Sequence, residues 1–168
     1  MKSLLLINLK KHSKIILSVI QHYNHEKYWR RRNYVIRCNG SLLLKLYYLY
    51  YIKKTDYHWG CSFGTDINNG SVFDTPPFLP HGPNGIIVGH DVKVGKNLTI
   101  YQHVTIAHGN VTIGDNVMLG AGAVILPNVT IGDNVKVGAN CVVIENIPND
   151  STVVLSKPRI IIKDIAGK

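Results

Sequence analysis

The feature that most constrains this chain is a six-residue period in its second half. Aliphatic residues recur at Val88, Val94, Ile100 and Ile106, and again at Ile113, Leu119, Ile125, Ile131, Val137 and Val143. Cys61, Ile67, Phe73 and Leu79 extend the series upstream, with a slip of three residues before Val88 and of one before Ile113. Small residues often follow the key position (Gly89, Gly95, Ala107, Gly114, Gly120, Gly132, Gly138). A second apolar set stands four residues beyond it: Val92, Leu98, Val104, Val117, Ala123, Val129, Val135 and Cys141. A period of six fits neither the helical repeat nor the two-residue alternation of a hairpin sheet. It fits a short strand and a corner, three per coil, with the repeating aliphatic pointing into a triangular prism that is stable only when coils stack. Asn97, Asn116, Asn128, Asn134 and Asn140 precede the second apolar set, where a tight corner needs the left-handed backbone that Asn tolerates.

Upstream the texture differs, and the chain divides into a helical region at 1–57 and a repeat domain at 58–168. Ile15, Ile16, Val19, Ile20 and Tyr23, then Leu42, Leu46, Leu49 and Ile52, follow helical spacing. Asn39-Gly40-Ser41 marks a break between two helices, and the Tyr47–Tyr51 cluster is read as helix packing. Apolar residues make up 45% of the 168, enough for a core, and charged ones 17%, which excludes a wholly disordered chain. The formal net charge is +9, with Lys2, Lys10, Lys11, Lys14, Lys27 and Arg30–Arg32 all early. That balance suits an anionic partner or a solvated basic helix face. No recognised module surrounds the arginine run, so nucleic acid is not an expected partner. The apolar start Leu4–Ile7 is cut short by Asn8, Lys10 and Lys11, so neither a signal peptide nor an integral membrane segment is expected. Three cysteines without CxxC spacing point away from a disulfide framework or zinc ribbon and toward a cytoplasmic protein, with membrane contact peripheral at most.

Particular segments carry a resemblance. Thr65-Asp-Ile, Leu79-Pro-His-Gly-Pro-Asn-Gly-Ile-Ile-Val-Gly, Thr99-Ile-Tyr-Gln-His-Val-Thr-Ile, Val117-Met-Leu-Gly-Ala-Gly-Ala and Val137-Gly-Ala-Asn resemble the serine acetyltransferase branch of the hexapeptide acyltransferases. Its short members, associated with O-acetylation of capsule or exopolysaccharide, are the most similar in kind. The resemblance covers Gly64–Ile161 and implies a left-handed parallel β-helix, mainly β, with a short helical start. It also implies acetyl-CoA as co-substrate, no metal, and a homotrimer with clefts between subunits. In that family the slot of His81 is the catalytic base and the slot of Asp66 orients it, which implies the same roles here. Counting three hexapeptides per coil places the two on one edge of the prism. A base within reach of a hydroxyl makes it nucleophilic toward a thioester, and a carboxylate on the other ring nitrogen fixes the tautomer. The family's oxyanion donor falls in the slot of His108, whose backbone N–H is the candidate, with Asn110 and His103 as further acceptor-side candidates. Ala121 and Ala139 match positions along the pantetheine arm, and Lys157 and Arg159 fall in the distal CoA motif.

Departures bear on the acceptor. Pro80 replaces the Asp that precedes the family's base, the loop after the oxyanion donor is cut to Ala107-His-Gly-Asn110, and the terminal motif reads Leu155-Ser-Lys-Pro-Arg159. The first two weaken serine as acceptor and point to a sugar or glycan hydroxyl, with serine O-acetylation in cysteine biosynthesis as the alternative. A different class is also open. The γ-carbonic anhydrases share the β-helix and bind zinc through three histidines, and His103 and His108 have the five-residue spacing of two of them, with His81 one coil earlier.

Overall fold

The computed structural model describes residues 23–157, so Ile15–Ile20 and the candidate Arg159 lie outside the described residues. Two helices open it, α1 (His25–Arg37) and α2 (Leu42–Trp59), separated at the Asn39-Gly40-Ser41 break. Asn24 caps α1 by accepting the Lys27 N–H at 2.9 Å. Gly60, in the left-handed conformation, ends α2 and turns the chain toward the repeats.

Among the described residues fifteen two-residue strands follow, and most stack into a three-faced parallel β-solenoid. Face I holds Ser62–Phe63, Ile87–Val88, Thr105–Ile106, Val124–Ile125 and Val142–Val143. Face II holds Val72–Phe73, Lys93–Val94, Thr112–Ile113 and Thr130–Ile131. Face III holds Thr99–Ile100, Met118–Leu119, Lys136–Val137 and Thr152–Val153, with Phe78 bridging to Thr99 at its edge. The chain passes from face I to II to III in each coil. From Val88 to Val143 every residue of the six-residue series is at most 3% exposed, and the second apolar set points inward with it. All five corner asparagines have φ between 56° and 60°; His103 and Asn110 hold the same conformation at corners of their own.

The first coil departs from the count. Phe63, not Cys61, is the inward residue of face I, and Ile67 lies in an antiparallel hairpin of Thr65–Asp66 with Asn69–Gly70 rather than in a solenoid strand. The hairpin turns at Asn68, at φ 56°. Ser62 pairs with Ile87, a longer coil than the later ones, where Ile87 pairs with Thr105 and Thr105 with Val124.

Helix α1 closes the open end of the prism. Trp29 packs edge-on against Phe63 and Phe73, with ring centroids 5.2 and 4.9 Å apart. The buried Arg32 guanidinium donates to the Phe63 carbonyl, the Ser71 carbonyl and hydroxyl, and the Thr65 hydroxyl, satisfying groups that have no coil below them. Burial lowers its pKa to about 10, so it still carries its charge at neutral pH. Of the helix-period residues, Leu49 and Ile52 turn toward the core, while Leu42 and Leu46 stay exposed. The tyrosine cluster is likewise split. Tyr48 and Tyr51 pack against the core, whereas Tyr47 and Tyr50 stand in solvent.

Candidate functional site

The corner from face III to face I carries the His81 loop. Four backbone hydrogen bonds fix it: Gly82 N–H to Leu79 O, Ile86 N–H to Pro83 O, Gly85 N–H to Trp59 O and His103 N–H to Asn84 O, all between 3.0 and 3.2 Å. Gly85 has φ +65°, and a Cβ there would lie 2.2 Å from the His103 ring, so only glycine lets that ring press on the loop. The Trp59 ring at the end of α2 packs against Gly82 from the other side. Held this way, His81 is exposed, and its ring centroid is 5.8 Å from that of Tyr101. Higher on the same corner come Ala121 and Ala139. Neither of their N–H groups donates to an acceptor among the described residues, and Ala121 O is taken by Asn140 N–H.

The corner from face I to face II carries the other candidates. Asp66 is exposed, and its Oδ1 accepts the N–H of Ile67 at 2.7 Å. One coil on, Asp91 Oδ2 accepts the N–H groups of Gly109 and Asn110 at 2.8 and 2.9 Å. These donors, Asn110 first, hold the Asp91 carboxyl below the ordinary carboxylate range. His108 lies beside it, stacked on His90 with centroids 5.3 Å apart, and its Nδ1 accepts the His90 N–H at 3.2 Å. The His108 backbone N–H has no acceptor among the described residues.

The expectation that Asp66 and His81 share one edge is therefore corrected. Asp66 follows a face I strand, His81 precedes one, and no hydrogen bond or ion pair joins them among the described residues. The count failed because it took Cys61 as the phase of the first coil. His103 falls on the His81 corner, where its ring buttresses the loop, whereas His108 and Asn110 fall on the Asp66 corner, with Asn110 fixed by Asp91. Lys157 is exposed at the end of the described chain. No three His, Cys, Asp or Glu side chains that could hold a metal converge among the described residues, so His81, His103 and His108 do not form a zinc ligand set within one copy. Sequence reasoning missed His90 and Asp91. The signal was there: His90-Asp91 stands one coil before His108-Gly109, so coil spacing alone stacks them. Trp59 was missed because it reaches the site from the helical region.

Residues 110–145 match the family model described as bacterial transferase hexapeptide (six repeats). A serine acetyltransferase of Mycobacterium tuberculosis is 36% identical over 70 residues, 38% of this chain and 30% of that protein. A solved serine acetyltransferase isoform 3 of Entamoeba histolytica, in complex with cysteine, is 34% identical, with a TM-score of 0.61 over 75% of this chain and 45% of that one. A serine acetyltransferase solved in complex with CoA is 28% identical, with a TM-score of 0.55 over 64% of this chain and 44% of that one. The chain spans less than half the length of each of these relatives.

Proposed function

We propose that this chain is an acetyl-CoA-dependent O-acetyltransferase of the serine acetyltransferase type, with His81 as general base. The observation that carries the reading is an exposed imidazole on a loop clamped from both sides, set on a solenoid similar to serine acetyltransferases. Acetyl-CoA fits the same corner: the Ala121 and Ala139 N–H groups form a lane of small residues above His81 that suits the amides of a pantetheine arm. In the reaction His81 takes the proton of the acceptor hydroxyl as its oxygen bonds to the acetyl carbonyl carbon. The resulting oxyanion accepts from the free His108 N–H. Collapse breaks the carbon–sulfur bond, and the leaving CoA thiolate takes the proton back from His81.

Within one chain face I separates His81 from Asp66 and His108, so the site needs a second copy. Support comes from face I itself, whose outward residues include Ile87 and Val142, flanked by Leu126 and Ile144, all at least partly bare. Faces II and III present mostly Lys and Thr outward. A homotrimer packed on face I sets the His81 corner of one copy against the Asp66–His108 corner of the next. The donor places the reaction in the cytoplasm, and Cys38, Cys61 and Cys141, all free, fit a reducing compartment.

L-serine is the first acceptor, because the relatives are named for it. A sugar hydroxyl is the second reading, favoured by Pro80 and the short Ala107–Asn110 corner, which supply no charged side chain for an amino acid's ammonium group. The test offers both acceptors with acetyl-CoA and follows free thiol release. Saturable transfer to one of them, reduced by about two orders of magnitude or more in His81→Ala with unchanged thermal unfolding, is the expected result. No transfer to any hydroxyl, or near-normal turnover in His81→Ala, overturns the reading.

A further inference from the structure

Helix α2 is apolar on both sides. One side packs on the body through Leu49 and Ile52. The other exposes Leu43 (80%), Leu46 (46%), Tyr47 (58%), Tyr50 (66%) and Tyr57 (91%), residues that fall on one stripe at helical spacing. Single exposed apolar residues are ordinary, but leucines and tyrosines gathered on one face of a helix form an interaction surface. Lys53 flanks the stripe and Lys54 stands on it between Tyr50 and Tyr57; both are exposed. Arg31 of α1 stacks beside it, 4.1 Å from the Tyr51 ring and 5.5 Å from that of Tyr47, and Lys27 and Arg30 stand exposed on the same helix. The only acid of α2, Asp56, is buried.

Among the described residues charge is divided in the same sense. Residues 23–60 hold eight Lys and Arg against two acids, whereas residues 61–157 hold four against seven. The helical end is basic and apolar, and the described part of the solenoid carries more acids than bases.

We propose that the outward stripe of α2 docks the protein onto an anionic lipid bilayer. Leucines enter the boundary of the acyl region, tyrosines lie at the headgroup level, and the flanking Lys and Arg meet the lipid phosphates. The acidic solenoid then points away from the like-charged surface, with both corners of the site facing water. A second copy on this stripe fits less well, because it would bring Lys53 and Lys54 of two copies together with no exposed acid on α2 to pair them. Among the described residues no helix is long and apolar enough to cross a membrane, so the contact is a surface one. The inference stands independently of the acetyl-transfer reading, since it concerns a different face and needs no turnover to be measured.

The test sediments the full chain with vesicles of phosphatidylcholine alone or with about a third phosphatidylglycerol. Partitioning to the anionic vesicles is expected to be about tenfold or more higher and to fall steeply with salt. Leu43→Glu with Tyr50→Glu, both on exposed positions, abolishes it with an unchanged circular dichroism spectrum. Lys53→Gln with Lys54→Gln weakens it several-fold. These variants keep the basic residues before position 23, so binding that survives Leu43→Glu/Tyr50→Glu runs through that segment and overturns the proposal. Equal binding to both vesicle types overturns it as well. So does concentration-dependent self-association that the double variant removes while vesicle binding persists, because the stripe is then an interface between copies.

Discussion

Asp56, near the end of α2, accepts the Tyr28 phenol at 2.6 Å and lies 3.7 Å from the Cys61 thiol, while its Oδ2 is buried without a partner. Burial is the largest influence on this carboxyl and raises it from 3.8 to about 6, against the opposing pull of Tyr28, Lys53, Cys61 and Arg32. A carboxyl whose folded value is raised binds its proton more tightly when folded, so the fold is favoured by this group at low pH. That advantage is lost as pH rises from the unfolded value through about 6, and above it the buried carboxylate costs about 3 kcal/mol. Asp56→Asn keeps an acceptor for Tyr28 and removes the charge. Chemical unfolding should show the variant more stable than the parent at pH 8, by roughly 1–3 kcal/mol, with the difference shrinking at pH 4. A variant equally destabilised at both pH values would mean that the Tyr28 bond to a carboxylate outweighs the burial of its charge.

Between residues and molecule stands the coil, and its corners hold more than turns. Asp115 Oδ1 accepts the N–H of Lys96, Asp133 that of Asp115, and Asn149 that of Asp133, each one coil below. Beside this ladder the Asn97 amide donates to Asn116, Asn116 to Asn134, and Asn134 to Asp150. A Cβ on Gly95 would lie 2.3 Å from Asp115 Oδ1, which explains why a small residue follows the inward aliphatic. Asn116 serves twice, through its φ of 56° and as a rung. Asn116→Ala should lower unfolding stability by about 1–2 kcal/mol, and Asn116→Gly by less, since glycine keeps the backbone and loses only the exposed rung. Equal losses would assign the whole effect to the ladder. The corner conformation was legible in the sequence because Asn97, Asn116, Asn128, Asn134 and Asn140 recur at one place in the hexapeptide. The ladders were not, because they depend on which side chains meet across coils. The first coil misled for a physical reason too. Asn68-Asn69-Gly70 diverts the chain into a hairpin, and an apolar Ile67 inside it imitates the period without entering the prism.

At the scale of the whole molecule, the site divides along face I. The His81 loop could be read from the three-residue slip before Val88, but its clamp by Trp59 and His103 could not, since Trp59 belongs to α2 and the pressure of His103 rests on the bare backbone of Gly85. The larger error, one edge for Asp66 and His81, has a testable consequence. If the two corners meet only between copies, each working cleft takes His81 from one chain and Asp66 from its neighbour. His81→Ala and Asp66→Ala chains are then each inactive alone. Co-expressed in equal amounts, they assort at random, and about one cleft in four pairs an unmutated His81 with an unmutated Asp66. Acetyl transfer should recover to about a quarter of the parent rate, and light scattering should show trimers throughout. A site completed within one chain gives no recovery at all, because every chain in the mixture then carries one defect in its own cleft.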